Sequence, residues 1–225
     1  LIYKSEEHLY SEKIIYMPQI WNCHSGSKSE RKFVDVPYKK NNFITFCSFN
    51  NFCKINENVI YTWSQILKSI KNSKLILKPS GRLDAGRLKV EFKNYGVENS
   101  VIFKENLKSV KDHLKSYNDI DLALDTFPYN GVTTSFEAIW MGVPVLTMKG
   151  YNFNSRCGES INKNIGMETM IAKDENDYIN KAIELSKDVE KLISIRKQIF
   201  EDAMSSPLFN VKNYSKNFFN LIKNL

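Results

Sequence analysis

Apolar positions along this chain fall into two spacings that alternate with each other. Residues 43–49, Leu75-Ile76-Leu77, residues 100–103 opening on Val101 and Ile102, Leu122-Ala123-Leu124 and Val145-Leu146 are short apolar runs of the kind that buried strands carry. Between them lie stripes at helical spacing. Val59, Ile60, Trp63, Ile66, Leu67 and Ile70 form one, with Asn56 as its expected N-cap. Residues 83–94 form a second, residues 106–117 a third with Val110, His113, Leu114 and Tyr117 on one face, and Phe136, Ile139, Trp140 and Val143 a fourth. A long stripe over residues 177–200 follows, through Ile179, Ala182, Ile183, Leu185, Val189, Leu192, Ile193 and Ile199. Ser206-Pro207 breaks it, and residues 211–225 resume through Tyr214, Phe218, Leu221 and Ile222. Residues 1–42 are mixed, and the polar run at 25–30 reads as a loop. Strand and helix alternate throughout the rest, so the expected fold is α/β, a doubly wound parallel sheet.

The stretch 121–147 organises the remainder. Its strand ends at Asp125 and breaks into a turn containing Pro128, Asn130 and Gly131, after which Thr133 and Thr134 open a helix that Gly142 and Pro144 stop. The first N–H groups of a helix have no intrahelical acceptor and carry partial positive charge, which suits a phosphate. Thr133 and Thr134 would add hydroxyl donors, and Glu137 could accept from the hydroxyls of a ribose. Spacing alone favours another reading of the same residues: Thr134-Ser135-Phe136-Glu137 has the form of a capping box, worth on the order of 1 kcal/mol without any ligand. Lys54 lies in the loop before a helix, where its ammonium would oppose the helix dipole unless an anion lay between them; an exposed loop lysine is the alternative. His113, among apolar neighbours, is either packed or a ligand contact.

Composition narrows the field without naming a function. The chain has 225 residues, 42% hydrophobic and 25% charged, enough for one generous α/β domain with a substantial core. No apolar stretch is long enough to span a bilayer, and acidic residues near the start stand where a signal peptide needs an apolar core, so a cytoplasmic location is expected. Cys23, Cys47, Cys53 and Cys157 lie far apart without C-x-x-C spacing, which indicates neither a zinc site nor a disulfide framework. The net charge is +7, yet the lysines are scattered. Lys71, Lys74 and Lys78 surround one helix-to-strand junction, and those at 181–191 alternate with acids, a pattern that solvated faces explain. Neither a nucleic-acid partner nor a membrane partner is expected.

Several motifs in one order resemble a known family. Residues 124–150, LDTFPYNGVTTSFEAIWMGVPVLTMKG, followed by Ser155-Arg156-Cys157-Gly158 and Ser206-Pro207-Leu208-Phe209, resemble the C-terminal half of the O-linked N-acetylglucosamine transferase family, which includes the SPINDLY-type proteins. Phe49-Asn50-Asn51-Phe52-Cys53-Lys54-Ile55 resembles its F-N-x-x-x-K-I loop, and Tyr10-Ser11-Glu12-Lys13 with Met17-Pro18 resembles the segment leading out of its first lobe.

The resemblance implies the Rossmann-like C-terminal lobe of a GT-B-type glycosyltransferase, with residues 1–42 a linker from an N-terminal lobe and residues 43–225 a UDP-sugar-binding lobe ending in a crossover helix. It implies an inverting transfer from a UDP-sugar to a protein hydroxyl, with no metal and no cofactor. Lys54 would neutralise the departing diphosphate as the catalytic residue. Asn51, His113, Thr133, Thr134 and Glu137 would bind UDP, with His113 against the uracil. A chain beginning at Leu1 is expected to continue something upstream that supplies the acceptor side, so this fragment alone is expected to be inactive.

Two departures bear on this. Where the family has a lysine three positions before the histidine, this chain has Val110, and Val132 follows the Asn-Gly of the turn, where a β-branched residue would resist a positive φ. No repeat near a 34-residue period is present. An epimerase-like isomerase lobe would need acid/base carboxylates and histidines beyond Glu137 and His113. A non-catalytic nucleotide-sugar-binding module is the third reading.

Overall fold

The computed structural model describes residues 1–27, 31–78, 85–105, 107 and 109–224. In chain order the elements are α1 (Tyr38–Asn41), β1 (Thr45–Ser48), α2 (Glu57–Ser69), β2 (Lys74–Leu77), α3 (Gly86–Asn94), β3 (Val101–Phe103), α4 (Val110–Lys115), β4 (Leu122–Leu124), α5 (Thr133–Trp140), β5 (Val145–Met148), α6 (Cys157–Asn164), β6 (Ile171–Ala172), α7 (Glu175–Lys187), α8 (Val189–Asp202) and α9 (Val211–Lys223). The expected helix starts at Leu83 and Asn106, the loop residues Lys28, Ser29 and Glu30, and the terminal Leu225 lie outside the described residues.

The six strands form one parallel sheet in the order β3-β2-β1-β4-β5-β6. From β1 the chain winds outward to β2 and β3, then returns to place β4 on the other side of β1, paired Phe46 to Leu122 and Cys47 to Ala123. Strand order reverses there. In an open parallel sheet this opens a crevice beyond the C-terminal ends of the two central strands. A doubly wound sheet is buried on both faces, which is why β1, β4 and most of β5 consist of buried positions rather than an alternation.

The core follows the helical stripes. Val59, Ile60, Trp63, Ile66 and Leu67 of α2 are all buried, and α2 packs beside α7. Each such side chain contributes about 1.5–3 kcal/mol by leaving water. Asn56 caps α2 as its spacing predicts, its Oδ1 accepting from Val59 N at 3.0 Å.

Two elements differ from the reading of the sequence. The stripe at 177–200 is two helices, because Asp188 turns the chain out of α7 and its Oδ1 accepts from Lys191 N at 3.0 Å to cap α8. Ser155, a residue type that suits a helix cap, closes instead a 3-10 turn whose cap is Asn152, and Arg156 stands before α6.

The segment before α1 lies against the sheet-bearing body. Glu6 pairs with Arg156 at 2.6 and 2.7 Å, His24 N donates to Leu208 O at 2.9 Å, and the His24 ring stacks on Phe136. Arg31 lies over the rings of Trp140 and Phe200. Among the described residues no helix is long and apolar enough to cross a membrane.

Candidate functional site

The chain leaves β1 through Phe49 and Asn50 and turns at Asn51, whose side chain accepts from Cys53 N at 3.0 Å to cap the 3-10 turn Phe52–Lys54. Lys54 therefore points across the switch point. Its Nζ donates to Asn130 O at 2.8 Å and lies 3.9 Å from the centroid of the Tyr129 ring. Burial pulls its pKa below the ordinary lysine value, while Asp125 acts the other way.

The turn after β4 is built around a buried carboxylate. Asp125 Oδ1 accepts from Gly131 N at 2.6 Å, Thr126 N at 2.9 Å and Asn50 Nδ2 at 3.3 Å, and Oδ2 accepts from Thr147 Oγ1 at 2.8 Å. Burial pushes Asp125 up to about 6 against the lowering influence of the Gly131, Thr147 and Thr126 donors and of Lys54. The Phe127–Pro128 bond is cis. Asn130 is fully buried: Nδ2 donates to Thr126 O at 2.9 Å, and Oδ1 accepts from Gly158 N at 3.1 Å. Gly131 leaves no room for a side chain, since a Cβ there would stand 2.7 Å from Thr134 Oγ1 and 2.8 Å from Asn50 Oδ1.

Helix α5 starts at Thr133 without a side-chain cap. The capping box is not formed. Thr134 Oγ1 donates to Asn50 Oδ1 at 2.8 Å instead, and Glu137 turns away from the helix start to meet His113, whose Nε2 lies 2.9 Å from Glu137 Oε2. A polar partner on a neighbouring loop and one on a neighbouring helix outcompete the local reciprocal pair. Val132, at φ −122°, is not asked for a positive φ, and its carbonyl accepts the first helical bonds, from Ser135 N at 3.1 Å and Phe136 N at 3.0 Å. The N–H groups of Thr133 and Thr134 precede those bonds and stand at the helix mouth.

All six residues singled out from the sequence thus stand at the C-terminal edge of the sheet or on the helices that flank it. His113 and Glu137 touch directly, Lys54 binds the turn after β4, Thr134 binds Asn50 after β1, and Asn51 and Thr133 are exposed at the rim.

Sequence reasoning missed four participants. Asn50, Asp125 and Asn130 shape the turn, and Asp125 could have been found as the charged residue ending an apolar strand. Lys78, read as part of a solvated face, is buried: its Nζ meets His113 Nδ1 and lies 3.3 Å from Ser116 Oγ, and burial pushes its pKa down to about 8. The signal was its place immediately after Leu75-Ile76-Leu77, since a strand-end position faces the crevice.

Arg156 has a structural role, its guanidinium held by Glu6 and by the carbonyls of Leu1, Gly150 and Tyr151. Two open cavities flank α4. One of about 290 Å³ is bordered by His24, Val110, Leu114, Glu137 and Trp140; the other, of about 390 Å³, by Lys78, Lys104, Leu107 and Lys115. Among the described residues no group of three or more His, Cys, Asp and Glu is placed to hold a metal ion.

Residues 27–218 match the family model described as glycosyl transferase family 41. A relative from Solanum lycopersicum, named probable UDP-N-acetylglucosamine–peptide N-acetylglucosaminyltransferase SPINDLY, is 32% identical over 218 residues, which is 95% of this chain and 23% of the relative. Among solved structures, a mutant of the O-GlcNAc transferase of Thermobaculum terrenum superimposes with a TM-score of 0.85 at 26% identity, over 96% of this chain and 42% of that one. The Staphylococcus aureus TarM structure, solved with UDP, shares the fold at a TM-score of 0.68 and 13% identity, over 98% of this chain and 42% of that one. The chain spans under a quarter of the length of the curated relatives it matches.

Proposed function

Because the chain belongs to glycosyl transferase family 41, we propose that it is the donor-binding half of an inverting, metal-independent glycosyltransferase that moves N-acetylglucosamine from a UDP-sugar to Ser or Thr of proteins. Its fold is that of the Rossmann-like lobe of GT-B-type glycosyltransferases. The observation that carries the reading is a convergence at one sheet edge. A half-buried ammonium on Lys54, a helix mouth with the N–H groups of Thr133 and Thr134, and the His113–Glu137 pair lie around the switch point between β1 and β4.

Departure of a nucleoside diphosphate leaves negative charge on its β-phosphate. Cationic and N–H donors fixed in place before the reaction stabilise that charge without reorganising. Lys54 and the mouth of α5 supply such donors, with Asn51 and the Thr133 hydroxyl at the rim to bind the same phosphates. Glu137 accepts from the ribose, and the His113 ring packs on the uracil. The acceptor is bound through the N-terminal lobe, from which residues 1–42 lead. Residues 43–225 are the UDP-sugar lobe, and α9, with Phe218, Phe219 and Ile222 exposed, is its crossover helix. The reading extends to a cytoplasmic location, which the four free thiols suit.

Calorimetric titration with UDP, ADP and GDP, repeated on Lys54→Ala, tests this. Saturable binding selective for UDP and weakened by the substitution is expected. Equal binding of all three nucleotides removes the uracil assignment from His113, and no UDP binding, either by this chain or by a longer one carrying both lobes, overturns the reading.

A further inference from the structure

Lys78 follows β2 directly and is 4% exposed. Its ammonium is surrounded by His113 Nδ1, by Ser116 Oγ at 3.3 Å and by the face of Phe49, whose centroid is 4.2 Å away. Ser116 Oγ donates onward to His113 O at 2.5 Å, tying the same lysine to the backbone of α4. A buried ammonium is held at a cost in free energy, and an apolar side chain would fill this space without it. The useful property of the lysine lies in the direction of its hydrogen bonds.

An ammonium has three donors and no acceptor. The imidazole nitrogen it meets must be the one without a proton, so the proton of the neutral ring sits on Nε2. Nε2 then donates to Glu137 Oε2 at 2.9 Å. The three side chains form a relay with a single polarity, from β2 through α4 to α5. We infer that Lys78 is a positioning residue of the nucleotide site: its ammonium fixes His113 in the Nε2–H form and holds that ring against Glu137. The inference rests on the donor-site reading above for its functional consequence, and on geometry alone for the relay itself.

The two parts separate experimentally. Long-range proton–nitrogen correlation spectra of the histidine-labelled chain, recorded without nucleotide, report which ring nitrogen carries the proton. His113→Asn identifies the signal among those of His8, His24 and His113. The wild-type chain is expected to show the Nε2–H form. With Glu137 still accepting from Nε2–H, Lys78→Met is expected to place a proton on Nδ1 as well and to weaken UDP binding roughly tenfold, while Lys78→Arg, which keeps the donor, restores the wild-type signal and part of the affinity.

A wild-type ring protonated on Nδ1 overturns the inference whether or not Lys78→Met folds. So does an unchanged ring in Lys78→Met, or UDP affinity that ignores the change of form. A Lys78-dependent ring in a protein that binds no UDP, even with both lobes, defeats the nucleotide reading and leaves the relay standing.

Discussion

The ammonium of Lys54 donates to the backbone carbonyl of Asn130 at 2.8 Å, across the seam where β1 and β4 run side by side. It bonds the carbonyl of a residue whose own side chain is held by Thr126 O and Gly158 N, so the cation is anchored to a fixed point of the turn. Because burial lowers its pKa, Lys54 loses its proton below the range of an exposed lysine. UDP affinity is expected to fall as pH rises from 7 towards 10, and Lys54→Arg to reduce that slope, leaving the share that comes from Lys78. Titration calorimetry of both proteins at several pH values checks this.

Gly131→Ala tests the turn. A Cβ would press on the hydroxyl of Thr134 and the amide of Asn50, breaking their 2.8 Å hydrogen bond or displacing Gly131 N from Asp125. The expected cost is about 1–3 kcal/mol, read as a lower urea midpoint at unchanged m-value.

Lys78 gives stability a distinct pH dependence. Its pKa of about 8 in the folded chain lies below the ordinary 10.5, so between these values the unfolded chain binds more protons than the native one. Stability from this group therefore rises with pH through that window. Relative to Lys78→Met, the wild-type chain is expected to gain roughly 1–2 kcal/mol between pH 8 and 10, measured by urea unfolding at each pH.

Glu6 shifts stability in the same sense, at the acid end of the range. The bidentate hydrogen bond from Arg156 pulls its carboxyl down to about 2, so its contribution is present at neutral pH and is lost as pH falls through that value. Glu6→Gln is expected to bring this loss to neutral pH. Limited trypsin digestion should then cut at Lys4 and Lys13 several-fold faster, with cleavage elsewhere unchanged.

Periodicity made most of the fold legible. The stripe of α2, its Asn56 cap and the apolar strand runs were readable because each is a local consequence of burial or of one hydrogen bond. What stayed hidden depended on residues far apart in sequence. Thr134 and Glu137 have the spacing of a box, but Asn50, 84 positions away, and His113, 24 away, take their hydrogen bonds. Lys78 reads as solvated because its partners, His113 and Ser116, lie on another element. The break at Asp188 leaves the apolar spacing intact on both sides, so only the cap reveals it. The two-residue strand β6 is too short to carry a pattern.

Glu6 clamps Arg156, Arg156 precedes the helix whose Gly158 N–H holds Asn130, and Asn130 holds Lys54. The first ten residues are thus an abutment at one end of an arch whose other end is the proposed phosphate-facing cation. Anyone shortening this protein for convenience from that end would be removing masonry, and would see the loss some distance from the cut.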